Sequence, residues 1–573
     1  MERLEAKRIN GHTYYYYSRW EWRDGKSRRV WQKYLGKLQD IVQAVAGFGP
    51  SPQYAEIFRW GLPEALWRQC QQFDLVAHIE RFCPKRIQSL SVGEYLVIAA
   101  LNRAMQPHSK RSLWEWFVNT TLRRHFPKAT KEALASQRFW DHMHRLTQDT
   151  ALSIWKGLLQ RVVQQAAVDL SNISYDGTNF YTFLDTFNSR CPLARRGKNK
   201  QGRNNLRQVS YALFCAADGP LPLFYDVYAG NRNDAKQFPL MLQRFRDFFR
   251  ELSGDAKANP TVTLVFDKGN NSQDNFALLD ELSLSYVGSV KLGEHKDLAE
   301  IPHTDARFVT SASHPPGTKS FRVRKQVYGK ERILVVTYNP KLFETQWLTL
   351  SADVMRALER LRELRGRLED RRQGLVRGGR APTLASVEKQ CRAFRRRPYL
   401  TNLLEVQLGT DANGLPSLEY TLNADAQQEV CAKYLGKNIL ITDRDQWEDG
   451  RVIRAYRSQY LIEGVFQQMK DREVGNWWPL YHWTESQIHV HALYCTLAVL
   501  LRGLLSRQVA RGGLQLSLKR LLRELDDIRE VVNVYAARSK KQESGKQTIL
   551  SKTNPVQRKL ITLLNLAGEK EAV

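Results

Sequence analysis

Hydrophobic and polar positions alternate with three different periods along this chain, and each period predicts an element. Residues 55–165 are read as helical. SVGEYLVIAALNRAM is apolar nearly all round, which suits a buried helix. Ser109 is placed to cap a following helix, SKRSLWEWFVNTTLRRHF. SQRFWDHM and a long amphipathic stretch through Trp155 and Leu159 complete the series. From about residue 170 the period falls to two. ISYDGTNFYTF reads as a strand, and VSYALFCA and LPLFYDVYA around Asp218-Gly219 read as a hairpin. A helix capped by Asn233 or Asp234 runs through Phe238, Met241, Leu242, Phe245 and Phe249. It is followed by the short strand TVTLVF, the helix SQDNFALLDEL and the strand LSYVGSV. Hairpin, helix, strand, helix and strand together predict a mixed sheet with helices on its faces, an α/β fold.

Two regions break this rhythm. Residues 1–37 alternate aromatic and basic side chains, with YYYYSRWEW and SRRVWQKYLG flanking Asp24-Gly25. They read as a hairpin that either touches DNA or is an ordinary small sheet. Residues 293–430 hold a hairpin around Tyr328-Gly329, a charged helix with Leu358, Leu361, Leu364 and Leu368, a basic knot from Arg392 to Pro398, and a hairpin at Asn413-Gly414. They read as an inserted α+β subdomain. The strand NILIT, 438–442, then resumes the main pattern. In Tyr456–Lys470, YRSQYLIEGVFQQMK, helical spacing returns, with Ile462, Val465, Phe466 and Met469 facing a core. Tyr456, Gln459, Glu463 and Lys470 follow at steps of three, four and seven, so one helix gives them a common polar face. Such a face either grips a charged partner or is simply solvated. HVHALYCTLAVLLRGLL is a core helix whose His489 and His491 read as structural, and the tail after 535 reads as basic and unpatterned.

Composition narrows the partner. The chain has 573 residues, enough for three or more domains, and 42% are hydrophobic. Lys and Arg number 87 against 59 Asp and Glu, a net charge of +28, with a pI near 9.8. An acidic polymer, nucleic acid first, is the expected partner. No apolar run approaches the ~18 residues of a spanning helix and residues 1–30 lack a signal-peptide core, so no membrane is expected. Seven scattered cysteines without a CxxC indicate neither zinc nor a disulfide framework and fit a reducing cytosol. The linker SRCPLARRGKNKQGRNNLR adds Arg190, Arg195, Arg196, Lys198, Lys200, Arg203 and Arg207 with no acid, a loop suited to phosphates.

Three carboxylates stand apart from this basic background. Asp176 lies in the first strand, Asp267 ends the TVTLVF strand, and Glu463 is on the returning helix. A buried-strand charge is costly unless paired. Two strand aspartates and a helical glutamate that converge make an oxygen cage for a hard cation such as Mg²⁺. Two such ions would serve phosphoryl transfer, with Lys470 on a neighbouring phosphate and Tyr456, Arg457 and Gln459 on others. Asp226, inside a strand, competes for a place; Asp218 and Asp234 have turn and cap explanations.

The chain resembles bacterial insertion-sequence transposases of the DDE class, in the branch with a Tyr-x2-Arg-x3-Glu-x6-Lys signature. SVGEYLVIAALNRA, SQRFWDHM, YDGTNF, ALFCAADGPLPLFYDVYAGNRND, VFDKG, YRSQYLIEGVFQQMK and LYHWTESQIHVHALYC carry the resemblance, in the family's order. It implies an RNase H-like core interrupted by a β-containing insertion, and two Mg²⁺ (Mn²⁺ substituting) held by Asp176, Asp267 and Glu463. It also implies cut-and-paste movement of DNA bounded by inverted repeats, a paired-end homodimer, and phosphate contacts from Tyr456 and Lys470. The signature's Arg falls on Gln459, a departure for which Arg457 is the candidate substitute. The expected layout is a β-hairpin region (1–50), a helical DNA-end-binding domain (51–168), a core in two parts (169–292 and 431–510) around the insertion (293–430), and a basic tail (511–573). The expected setting is a bacterial cytoplasm, on the nucleoid when DNA is bound. A DNA-binding protein that no longer transposes and a metal-dependent nuclease are the alternatives.

Overall fold

The computed structural model describes the chain except residues 24, 46–51, 84–88, 145, 199–201, 233, 254–261, 377, 412–413, 472, 479, 536–544 and 567–573, and except the side chains of 43–45, 234 and 253. Asp24, Asn233 and Asn413, expected in turns or a cap, lie outside the described residues, as do Lys200 and the side chain of Asp234. The chain divides into two compact units, residues 1–143 with 504–573, and residues 144–503.

The first unit opens with three antiparallel strands rather than the two expected: β1 (Glu2–Ile9), β2 (His12–Arg23) and β3 (Lys26–Gly36). β1 supplies the extra strand because Asn10 and Gly11, both at positive φ, turn the chain back directly. β4 (Tyr54–Arg59) follows, then helices. The Val92–Met105 helix is buried on every side, as its all-apolar pattern requires, and a reciprocal capping box of Ser91 and Glu94 starts it. The stretch after Ser109 is not one helix. It breaks into short turns around the helix Leu113–Val118, because Thr120 bridges to Arg59 of β4.

The second unit is built on a nine-stranded mixed sheet. Its strands are β5 (Asn172–Thr182), β6 (Arg195–Arg196), β7 (Arg207–Ala216), β8 (Leu221–Ala229), β9 (Thr263–Val265), β10 (Ser285–Val290), β11 (Lys319–Val327), β12 (Lys330–Tyr338) and β15 (Lys437–Thr442). Their order is β11-β12-β15-β10-β9-β5-β7, with β6 and β8 on the far edge of β7. β9 runs parallel to both β5 and β10, and the other pairings are antiparallel. One expectation is corrected here. The hairpin at Tyr328-Gly329 does not belong to the insertion; β12 pairs with β15 and extends the main sheet. Its run Ile333–Val336 is buried on both faces, which a peripheral hairpin has no reason to be.

The insertion proper begins after β12. It holds the helix Pro340–Arg372, the helix Leu384–Phe394, the hairpin β13 (Leu404–Thr410) with β14 (Pro416–Leu422), and the helix Ala424–Lys433. It has its own core, in which Leu361, Leu364 and Leu368 pack with Val387, Cys391 and Leu403.

β15 starts on a buried cation. Lys437 donates to the carbonyls of Ala299, at 2.9 Å, and Ile301. Burial pushes its pKa down to about 8 from 10.5. The folded chain therefore releases this proton at lower pH than the unfolded chain. Lys437 thus makes stability rise with pH between about 8 and 10.5, and the contribution is lost as pH falls through 8. In Lys437→Met this rise is absent, which denaturant unfolding of both proteins across that pH range measures.

Tyr456–Lys470 is not one helix. Asp449–Arg457 and Gln459–Lys470 meet at Ser458, whose hydroxyl bonds back to the Ala455 carbonyl at 2.7 Å. The local side-chain bond competes with helix continuation. The Glu485–Arg511 helix is long and apolar enough to cross a membrane, contrary to the sequence reading. However, 94% of its most apolar window is buried, so it is a core helix of this fold. Beyond it the tail is also more ordered than expected. The helix Leu518–Asp526, β16 (Arg529–Val534), β17 (Lys546–Leu550) and the helix Pro555–Leu563 belong to the first unit. β16 pairs with β4 and β17, and Arg124 pairs with the buried Glu530 of β16. A strand so engaged leaves no open edge.

Candidate acidic site on the mixed sheet

The parallel pairing of β5 and β9 runs side by side into the two aspartates. Ser174 lies opposite Val265, the last residue of β9; Asp176 continues β5, while Asp267 lies two residues past the end of β9 and precedes the 3-10 turn Lys268–Asn270. Their direction follows from their neighbours. Tyr175 and Phe266 both pack on Phe238, at 5.0 and 5.1 Å between ring centroids, on one face of the sheet. Alternation then turns Asp176 and Asp267 to the opposite face. The Gln459–Lys470 helix covers that face, packing on β5 and β7.

Asp176 and Glu463 line one open cleft of about 440 Å³, together with Thr178, Gln467, Lys470 and Asp471. Asp176 Oδ1 accepts from the Gly177 amide at 2.7 Å, and Glu463 is exposed. Lys470 donates to the Thr178 hydroxyl, and its ammonium lies 5.4 Å above the Phe180 ring. Phe180 is itself stacked on Trp477 at 4.1 Å.

Asp267 does not line this cleft. Its Oδ1 accepts from Ser289 Oγ at 3.4 Å, and Ser289 Oγ in turn accepts from the Tyr456 hydroxyl at 2.8 Å, with Tyr456 Oη itself 3.5 Å from Asp267 Oδ1. Burial raises the Tyr456 pKa, so the phenol stays protonated and donating at neutral pH. The break at Ser458 explains the division: Tyr456 serves Asp267 from one helix, and Glu463 and Lys470 serve Asp176 from the next. Among the described residues, no group of three or more His, Cys, Asp or Glu side chains is gathered so as to hold a metal ion. The chemistry of the donors nevertheless fits a hard cation. Asp176 and Glu463 offer carboxylate oxygens to one open cleft, and Asp267 follows the end of β9, the strand beside β5.

The other predicted contacts are dispersed. Arg457 points to Thr318 Oγ1, at 3.0 Å, and Gln459 is buried, so neither lines the cleft. In the basic linker, Arg195 donates to the Pro192 carbonyl at 3.0 Å, Arg196 to Thr186 Oγ1 at 3.1 Å, and Arg203 lies 4.9 Å over Tyr181. Lys198 is exposed just beyond β6. The linker is thus tied to β7 through β6 rather than hanging free. Asp226, the competing acid, is buried against Arg244 at 2.6 Å. Burial raises its pKa, with Arg244 opposing. Ser289, Thr178 and Gln467 escaped the sequence reading. A lone hydroxyl in the apolar strand SYVGSV was the one available signal for Ser289.

The fold is thus a mixed α/β sheet with Asp176, Glu463 and Lys470 on one open cleft beneath a helix. The matched family is described as the transposase DDE domain; its model matches residues 169–501, and the chain belongs to that family. No curated protein matches it. Among solved structures, the chain is similar to a piggyBac transposase synaptic complex with hairpin DNA. The identity is 10%, over 80% of this chain and 79% of that one, with a TM-score of 0.35. It is also similar to a Mos1 transposase paired-end complex with the left transposon end, at 12% identity over 35% of this chain and 60% of that one, with a TM-score of 0.15.

Proposed function

We propose that this protein is a bacterial insertion-sequence transposase of the Tyr-Arg-Glu-Lys branch. It would cut double-stranded DNA at the element's terminal inverted repeats and join the freed 3′-OH ends to target DNA. The observation that carries the reading is the family match over 169–501 combined with Asp176, Glu463 and Lys470 on one cleft. In this reading the sheet is an RNase H-like core. Residues 51–168 bind the ends, and two protomers hold paired ends.

Asp176, Asp267 and Glu463 would hold two Mg²⁺ ions, with Mn²⁺ able to substitute. When bound, such ions supply Lewis-acid stabilisation of charge in an in-line displacement at phosphorus. The chain's own residues position the parts. Lys470, braced by Thr178 and the Phe180 ring, presents a cation at the rim where a phosphate next to the scissile bond would lie. Tyr456 and Ser289 hold the Asp267 carboxylate in orientation from its far side. Arg195, Arg196, Lys198, Lys200 and Arg203 would carry the flanking DNA backbone.

The test is a joining assay on a duplex carrying the element's own end. Mg²⁺-dependent release of the 3′ end followed by its covalent appearance in a target plasmid is the expected result. Cutting without joining would make the protein a nuclease. Binding with neither, in Mg²⁺ or Mn²⁺, would make it a DNA-binding protein.

A further inference from the structure

The N-terminal sheet of β1, β2 and β3 presents two unlike faces. On one, Trp20 is covered by the guanidiniums of Arg3 and Arg29, at 4.4 and 5.8 Å, and gives its N–H to Glu5 at 2.6 Å. Lys7 covers Tyr16 at 4.9 Å. That face pairs most of its charges, although Trp22 at its end is 76% exposed. The other face is more open, with Arg19 held to Glu2 at 3.7 Å near its edge. Register sets Leu4, Tyr17 and Lys33 in one row and Arg19 beside Trp31 in the next, with Arg28 beyond them. Leu4 is 56% exposed, Trp31 48% and Tyr17 36%, and Tyr17 meets Trp31 edge-on at 6.1 Å. The acids nearby are occupied: Glu2 accepts from the Tyr17 hydroxyl at 2.5 Å, and Glu21 holds Arg23.

Rings and an aliphatic side chain left in water on a small sheet call for a partner, and the charge says of which kind. Residues 1–37 hold ten Lys and Arg against four Asp and Glu. The major groove of B-DNA, about 12 Å wide, admits a β-ribbon, so two of the three strands can enter it. Arginines on such a face reach base edges and phosphates, and a ring or methyl group packs on the thymine methyl.

We infer that the Leu4–Tyr17–Trp31 face of the N-terminal sheet, with Arg19, Arg28 and Lys33, is a duplex-DNA-binding surface separate from the acidic cleft. The inference rests on the transposase reading only for the presence of DNA as substrate.

The test uses the full chain and a labelled 30-base-pair duplex. It compares wild type with Arg19→Gln/Arg28→Gln/Lys33→Gln and with Trp31→Ala, each first shown to melt as wild type does. Should the triple variant not fold, Trp31→Ala alone carries the test. The triple variant is expected to bind at least about tenfold more weakly. Its plot of log affinity against log salt should be shallower by about 2 to 3, since each phosphate contact contributes about 0.9. Trp31→Ala is expected to lose affinity with the slope unchanged. Unchanged affinity in both variants overturns the inference. So does a loss seen only on phosphatidylserine-containing vesicles and not on DNA, which would make the face a membrane anchor. Binding through this face by a wild type that cuts no DNA would leave the inference standing and sink the transposase reading. Normal cutting with unaffected binding in the variants would do the reverse.

Discussion

Glu463→Gln and Asp176→Asn are each expected to lower end cleavage by roughly three orders of magnitude or more while duplex affinity stays within about threefold. The size follows from what each substitution removes. Both residues line the same cleft, and each change takes a negative oxygen from a small donor set aimed at one point. Folding is little affected, because Glu463 is exposed and Asp176 half-buried. Substitutions of this kind away from the core stay within about 0.5 kcal/mol. The measurement is a single-turnover cleavage assay beside a binding titration and a melting curve. Mg²⁺ binding by calorimetry gives a readout independent of turnover, and it should weaken in both variants. Asp267→Asn separates two roles. If it cuts like wild type, Asp267 serves only to hold Tyr456 and Ser289, and the cation set is Asp176 and Glu463 alone.

Trp477→Ala is expected to destabilise the second unit by about 3–5 kcal/mol, the range for deleting a large buried ring. Trp477 is fully buried. It stacks on Phe180 at 4.1 Å and meets Tyr211 and His491 edge-on at 5.4 and 5.0 Å. The effect reaches the cleft because Phe180 is the ring beneath the Lys470 ammonium. Trp477→Phe should recover most of the stability: it keeps a stacking ring and deletes a buried indole N–H that has no hydrogen-bond partner among the described residues. Denaturant unfolding of the three proteins checks this. A loss below about 1 kcal/mol for the alanine variant would mean that the pocket collapses around the missing ring.

Much of the sheet was legible because its strands carry strong local signals. The hairpin at Asp218-Gly219, the strand NILIT and the helix through Phe238 and Phe245 all lie where periodicity set them. His491 was read as structural, and it is buried, its Nε2 donating to the Trp477 carbonyl at 2.8 Å and its Nδ1 lying 2.6 Å from Tyr494 Oη. Local patterns misled where a long-range partner decided the outcome. The β11–β12 hairpin looked like part of the insertion until β15, a hundred residues later, paired with it. The tail after residue 535 looked unpatterned because β17 is mostly exposed and pairs only with β16. The break at Ser458 left no mark in the hydrophobic period, since a serine hydroxyl bonding back to a carbonyl alters the backbone and not the apolar stripe.

By itself the sequence determined the charge surplus and which acidic residues stand in or beside apolar stretches. A surplus of 28 positive charges and the spacing of Asp176, Asp267 and Glu463 are properties of the chain, independent of how it folds. Only the tertiary structure decided which of these residues meet. The pairing of β5 with β9 brings the strand of Asp176 beside the one that leads to Asp267, and the Ser458 break sends Tyr456 toward Asp267 while Glu463 and Lys470 line the cleft of Asp176. Charge is additive and can be counted along a chain. Proximity depends on strand register and helix breaks, which are fixed by contacts between residues far apart in sequence.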